Sequence, residues 1–382
     1  MIHILSVVGA RPNFMKVAAL DAAFSKNRHI KHTIVHTGQH YDEKMSDIFF
    51  REMALPEPDV FMGLGGGSHA QQTANIMQAF ESVLLGTSPH APFNEPPDAL
   101  LVVGDVNSTM ACSLVASKLH IPIVHVEAGL RSGDRSMPEE INRIVTDALA
   151  DVLYVSDPSG MAFLAQEGVP GEKIEFVGNV MIDSLHTYLP LAKKRPILED
   201  WGLTEGAYIL LTLHRPATVD SPDALALMAG VFEALDKAAP DRALVFPTHP
   251  RTKNNIERFN LSDRFAAIRS LRLHEPVGYL DFLKLQQAAA FIITDSGGIQ
   301  EESTILGIPC LTLRPNTERP VTISHGTNEL LPPDTPELAA RVVKWVDAAA
   351  RGAWKRARPI DGWDGAAAER IADDLVRRFS RA

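Results

Sequence analysis

Short apolar runs alternate with longer mixed stretches through most of the chain. In the first half these runs are "IHILSVV", "HTIVHT", "ALLVVG", "IPIVHV" and "VLYVS"; in the second they are "YILLTL", "ALVFPT", "AFIITD" and "IPCLTL". Each is short and rich in β-branched residues, which predicts buried strands. Segments between them, such as "TMACSLVASKLH" and "GYLDFLKLQQAA", space their apolar residues as helices do. Strands alternating with helices predict parallel sheets, an α/β fold of two doubly wound domains. The polar stretch "LPLAKKRPILEDWGLTEG" predicts the seam near residues 185–205. An N-terminal Rossmann-like domain over 1–190 and a C-terminal one over 191–364 follow. The final "GAAAERIADDLVRRFSRA" predicts an amphipathic helix over 365–382 that packs back on the first domain.

In open α/β sheets ligands bind beyond the carboxyl ends of the strands, so with two sheets the expected site is a cleft between the domains. The strand-end turns therefore carry the chemistry. "SVVGARPNFMK" passes from a strand through Gly9 into a helix bearing Arg11 and Lys16, and free amides with two cations suit an anion. "FIITDSGGIQEES" is a stronger signal. Ser296, Gly297 and Gly298 let backbone approach a ligand closely, and Glu302, a turn further on, can accept the hydroxyls of a ribose. "LRPNTERP" adds Arg314 and Arg319, either able to grip a phosphate.

"VVGDVNST" leaves Asp105 at another strand end, where the plainer reading is a helix N-cap. The next strand ends at Glu127, in the charge-dense stretch "HVEAGLRSGDRSMPEEINR", and two carboxylates on one sheet edge suit acid and base work. Within that stretch Asp134, Arg135 and Glu140 read as solvated or locally paired charges. "TLHRPAT" and "FPTHPRT" place His214 with Arg215 and His249 with Arg251 at strand ends of the second half.

Composition narrows the partners. Net charge is −10, which gives no electrostatic support for nucleic acid or an anionic membrane. The two cysteines, Cys112 and Cys310, form no disulfide framework, and no His, Asp or Glu set has a metal-ligand spacing. No run is apolar enough to span a bilayer and the N-terminus does not read as a signal peptide, so a cytoplasmic protein without metal or cofactor is expected.

Ten segments, in order, resemble the non-hydrolysing UDP-N-acetylglucosamine 2-epimerase family: "GARPNFMK", "HTGQHYDEKMSDIFF", "GDVNST", "HVEAGLRS", "MPEEINR", "VGNVMIDS", "HRP", "GYLDF", "DSGGIQEE" and "TERP". The resemblance implies a GT-B architecture, a UDP-sugar substrate, a homodimer and exchange at C2 by loss and return of UDP. It also implies roles. Arg11 and Lys16 stand beside the nucleotide sugar, and Asp105, Glu127 and Glu139 are the essential carboxylates, with Arg143 completing their motif. His214 is the functional histidine, Phe282 lies near the uracil, Ser296, Gly297 and Glu302 hold diphosphate and ribose, and Arg319 holds phosphate. The chain departs from many members at His214-Arg215-Pro216-Ala217-Thr218 and at "GQHYDEKM", which argues against activation by a second substrate molecule. The "HYDEKMSDIFF" form is shared with relatives acting on UDP-2,3-diacetamido-glucuronic acid, an alternative sugar; a GT-B glycosyltransferase is a lesser alternative.

Overall fold

A computed structural model describes residues 1–39, 56–88 and 95–380. The chain divides into two compact units: Met1–Thr187 together with Ile360–Ala382, and Tyr188–Pro359. The "QHYDEKM" residues from 40 onward lie outside the described residues.

In the first unit the apolar runs become β1 (Ile2–Val8), β2 (Ile30–His36), β4 (Ala99–Val103), β5 (Ile123–Ala128) and β6 (Val152–Val155), joined by two short edges, β3 (Val60–Phe61) and β7 (Ile174–Phe176). All pair in parallel, in the order β3-β2-β1-β4-β5-β6-β7. Strands β4 and β5 are buried along their whole length, because helices cover both faces of a parallel sheet. Leu5, Val7, Leu100, Val102, Ile123 and Leu153 pack on one face beneath Ile76, Phe80, Ala111 and Val115.

The second unit repeats the pattern with β8 (Tyr208–Thr212), β9 (Ala243–Pro247), β10 (Leu271–His274), β11 (Phe291–Thr294), β12 (Cys310–Thr312) and β13 (Asn328–Leu330), all parallel in the order β10-β9-β8-β11-β12-β13. Its core centres on Phe232, Phe246, Phe265 and Phe291. In both sheets the strand order reverses once, between β1 and β4 and between β8 and β11. Such a reversal opens a crevice at the carboxyl ends, where α/β proteins bind ligands.

The C-terminal helix Ala367–Phe379 belongs to the first unit. Asp183 caps its N-terminus by accepting from the amides of Ala367 (3.2 Å) and Ala368 (2.7 Å), and the Tyr154 hydroxyl donates to Asp374 (2.9 Å). Among the described residues no helix is long and apolar enough to cross a membrane.

Candidate active site

The first unit gathers its carboxylates where β1, β4 and β5 end. Glu127 has a left-handed backbone (φ +72°) at the point where the β5–β6 register slips by a residue. Such a bulge re-aims a side chain, and a glutamate in this conformation is costly enough to need support. Lys16, from helix Arg11–Phe24, supplies it by an ion pair to Glu127 in which both side chains are over nine-tenths buried. Asn13 of the same helix donates to the Val103 carbonyl (2.9 Å) and so docks the helix on β4.

Asp105 follows β4 through Gly104, whose backbone is also left-handed (φ +68°). A Cβ there would lie 3.3 Å from Glu127 Oε2 and 3.6 Å from Lys16 Nζ, so the glycine leaves room for the ion pair. The N-cap of the next helix is Val106, not Asp105, which frees the Asp105 carboxylate for another partner. That partner is Arg143, whose Nε donates to Asp105 Oδ2 (3.0 Å) while Nη1 pairs with Glu140.

Helix Pro138–Leu149 accordingly turns polar residues inward: Glu140, Asn142, Arg143, Thr146 and Asp147 are buried. Of the two readings for Glu140, solvated or locally paired, the structure keeps the second and overturns the first. Glu140 is 1% exposed and accepts from the amides of Ser132 and Gly133, fixing the loop before its own helix. Glu139, one residue earlier, is exposed, a step of about 100° around the helix. Arg11 opens its helix, and its side chain lies outside the described residues.

In the second unit Asp295, at the end of β11, gathers the end of β8. It accepts from the amides of His214 (2.9 Å) and Arg215 (2.8 Å) and from the Thr218 hydroxyl (2.5 Å), and His214 Nδ1 lies 3.0 Å from its other oxygen. Helix Gly297–Leu306 then starts, and the Ser296 side chain makes no capping bond, although it stands at the N-cap. Behind the turn, Arg319 meets Glu301 (2.9 Å) and Glu318 (3.1 Å), and Arg314 meets Glu318 (2.8 Å). Arg314 is 4% exposed and its Nη1 has no hydrogen-bond partner among the described residues. Burial pulls its pKa below the ordinary value, aided by Arg215 and Arg319 and opposed by Glu318.

Glu302 is buried, accepting from the Tyr279 hydroxyl (2.9 Å) and from Gln286 (2.5 Å). Burial raises its pKa against those two bonds. Phe282 is half-buried one turn from Tyr279 on helix Tyr279–Gln287. His249 caps helix Pro250–Arg258 by accepting from the Arg251 amide, 5.8 Å from the His214 ring, whereas Arg251 turns to Asp220 (2.7 Å). Motif spacing alone does not reveal the Lys16–Glu127 pair, the Tyr279–Glu302–Gln286 triad or the Glu140 loop anchor, because each needs the sheet order.

One effect on stability is expected from this geometry. A Cβ at Gly297 would lie 2.8 Å from Arg319 Nη1, whereas one at Gly298 meets nothing within 4 Å. Gly298→Ala should therefore stabilise the fold by about 0.5–1 kcal/mol, as alanine does within a helix. Calorimetry reads the gain in Tm.

Asp147 and Asp295 both sit below the usual carboxyl range. Burial pushes each up, but His125 and Arg131 at Asp147, and His214, Thr218 and the Arg215 amide at Asp295, outweigh it. Each carboxyl then stabilises the fold above its unfolded value, about 3.9, and stops doing so as pH falls through its lower folded value. The Tm deficit of Asp147→Asn against the parent should be full at pH 7 and shrink below about pH 4.

Taken by themselves, two parallel sheets that each reverse strand order once beside polar strand ends define an α/β protein of two doubly wound, Rossmann-like units. Residues 22–376 match the family described as UDP-N-acetylglucosamine 2-epimerase. A UDP-N-acetylglucosamine 2-epimerase from Methanocaldococcus jannaschii is 42% identical over 329 residues, 85% of this chain and 87% of the relative. A UDP-2,3-diacetamido-2,3-dideoxy-D-glucuronate 2-epimerase from Pseudomonas aeruginosa is 40% identical over 332 residues, 86% of this chain and 88% of the relative. Among solved structures, the M. jannaschii UDP-GlcNAc 2-epimerase in complex with UDP-GlcNAc and UDP superposes with a TM-score of 0.87 at 38% identity, covering 98% of this chain and all of that one. The chain belongs to the UDP-N-acetylglucosamine 2-epimerase family.

Proposed function

We propose that this chain is an isomerase that interconverts UDP-N-acetylglucosamine and UDP-N-acetylmannosamine. The observation that carries the reading is Glu127, held in a left-handed backbone and paired to Lys16 beside the Asp105–Arg143 pair. Family membership supplies the substrate class.

C2–H of the sugar is not next to a ring carbonyl, so its direct removal is difficult. Loss of the proton to a carboxylate as the C1–O bond to UDP breaks forms a C1=C2 bond, a 2-acetamidoglucal, and avoids a free carbanion. The departing diphosphate collects negative charge, which Arg319, the glycine turn and the helix N-terminus at Gly297 would stabilise. UDP oxygen then returns to C1 while a proton reaches C2 from the opposite face. Proton handling on two faces calls for several carboxylates, and Asp105, Glu127 and Glu139 are the assigned set. His214, which Asp295 orients, takes a further catalytic role. Arg11 and His249 bind the substrate, Phe282 meets the uracil and Glu302 the ribose. Arg143 and Lys16 act on it through the carboxylates they hold. Arg251 reaches substrate only by leaving Asp220.

The enzyme works in the cytoplasm as a homodimer and supplies precursors of cell-surface polysaccharide. Proton NMR of UDP-N-acetylglucosamine with the protein in heavy water is expected to show UDP-N-acetylmannosamine carrying deuterium at C2. Absence of both the product and the deuterium would reject this sugar. The similarity to the P. aeruginosa enzyme favours UDP-2,3-diacetamido-2,3-dideoxy-glucuronic acid as the second substrate to test.

A further inference from the structure

His125 lies two residues before Glu127 on β5 and is wholly buried. Neither ring nitrogen is idle. Nε2 is 2.8 Å from the Gly104 carbonyl and Nδ1 is 2.6 Å from Asp147 Oδ1. A carbonyl only accepts, so Nε2 carries a proton and donates it. Asp147 also accepts from the Gly129 amide (3.1 Å) and pairs with Arg131 (2.7 Å), which Glu167 grips through Nε (2.8 Å) and Nη2 (2.7 Å). Asp147 is therefore fixed from three sides and holds the ring in one orientation.

The other end of the ring reaches the turn that matters. Gly104 is the left-handed residue between β4 and Asp105, and its Cα faces the Glu127 carboxylate. No other hydrogen bond to the Gly104 carbonyl is recorded among the described residues, so His125 is what sets that peptide's orientation. The backbone of Glu127 is tied to the same turn, since the Gly104 amide donates to the Val126 carbonyl (3.0 Å).

We propose that His125 is a positioning residue of the epimerase reaction: its bond to the Gly104 carbonyl fixes the turn that sets Asp105 against Glu127. The proposal rests on the reading above that these carboxylates move the C2 proton. A displacement of an ångström in such groups costs about 100-fold in rate.

Two substitutions separate the two ends of the ring. Glutamine places an amide N–H where Nε2 stands and can still donate to Gly104; asparagine places one where Nδ1 stands and can reach only Asp147. Both are to be assayed for C2 deuterium exchange, kcat, KM, UDP affinity and Tm, after the parent protein has been shown active. His125→Asn is expected to lower kcat and exchange about 100-fold, with KM and UDP affinity within about threefold, and His125→Gln to stay within about fivefold of the parent. Equal losses in the two variants, or an unchanged kcat in His125→Asn, overturn the proposal. So does a parallel loss of UDP affinity. Should His125→Asn yield no folded protein, Asp147→Asn releases the ring's far end instead. It should lower kcat about tenfold at unchanged UDP affinity, and an unchanged kcat again overturns the proposal. A parent inactive on both UDP sugars overturns the epimerase reading itself, a different result from any of these.

Discussion

Glu127→Gln is expected to lower turnover about 1000-fold while UDP affinity stays within about threefold. The side chain keeps its shape and loses only its charge, so the change tests proton transfer and leaves the bulge in place. Lys16 would then be a buried cation without its counter-ion, a loss worth about 3–5 kcal/mol when one partner of such a pair is removed. Stability and turnover should therefore both fall, and the Lys16→Met, Glu127→Gln double variant should recover part of the stability and none of the turnover. Equal loss of UDP binding and turnover in the single variant would make Glu127 a structural group.

Arg143→Met should have an equally large effect on stability. Arg143 is 2% exposed and bridges Asp105 and Glu140, the latter wholly enclosed. Methionine fills the space but leaves Glu140 buried with two amide donors and no cation, a cost of about 3–5 kcal/mol. In a unit of this size that is a Tm decrease of roughly 10 °C by calorimetry. Asp105 would lose its orientation at the same time, so turnover should fall more than the loss of folded protein explains. Arg143→Lys restores one charge but cannot span both carboxylates, and only partial rescue of each property is expected.

How much of this was legible in the sequence follows from where apolar residues are needed. The interior strands β1, β4, β5, β8 and β11 are covered on both faces, so each reads as a mainly apolar run. The strands that the hydrophobic pattern misses, β3, β7, β10 and β13, are the four edges of the two sheets. There half-burial is enough, and "IEF" or "LRLH" sets a charge within only three or four residues, which leaves no apolar run to read. Parallel order then accounts for why the turns after β1, β4, β5, β8 and β11 hold the chemically interesting residues.

Pairing was less legible. Glu139 and Glu140 are neighbours of one chemical type, and only the angle of the helix to the sheet decides which is enclosed. Arg251 and His249 follow β9 as His214 and Arg215 follow β8, yet Arg251 meets Asp220, an aspartate that no strand-end pattern singles out. His125 sits inside a hydrophobic-looking run, "IPIVHV", where a polar residue carries no signal until its two partners are known.

The return of helix Ala367–Phe379 to the first unit bears on how the protein is made. The second unit is one unbroken stretch, Tyr188–Pro359, and all of it has been synthesised before the helix that Asp183 caps emerges. During translation the second unit can finish folding while the first still waits with the buried Asp183 and Tyr154 unpartnered. The first unit, with Glu127 and Asp105, should thus be the last part of a nascent chain to become protease-resistant, although most of its residues leave the ribosome first.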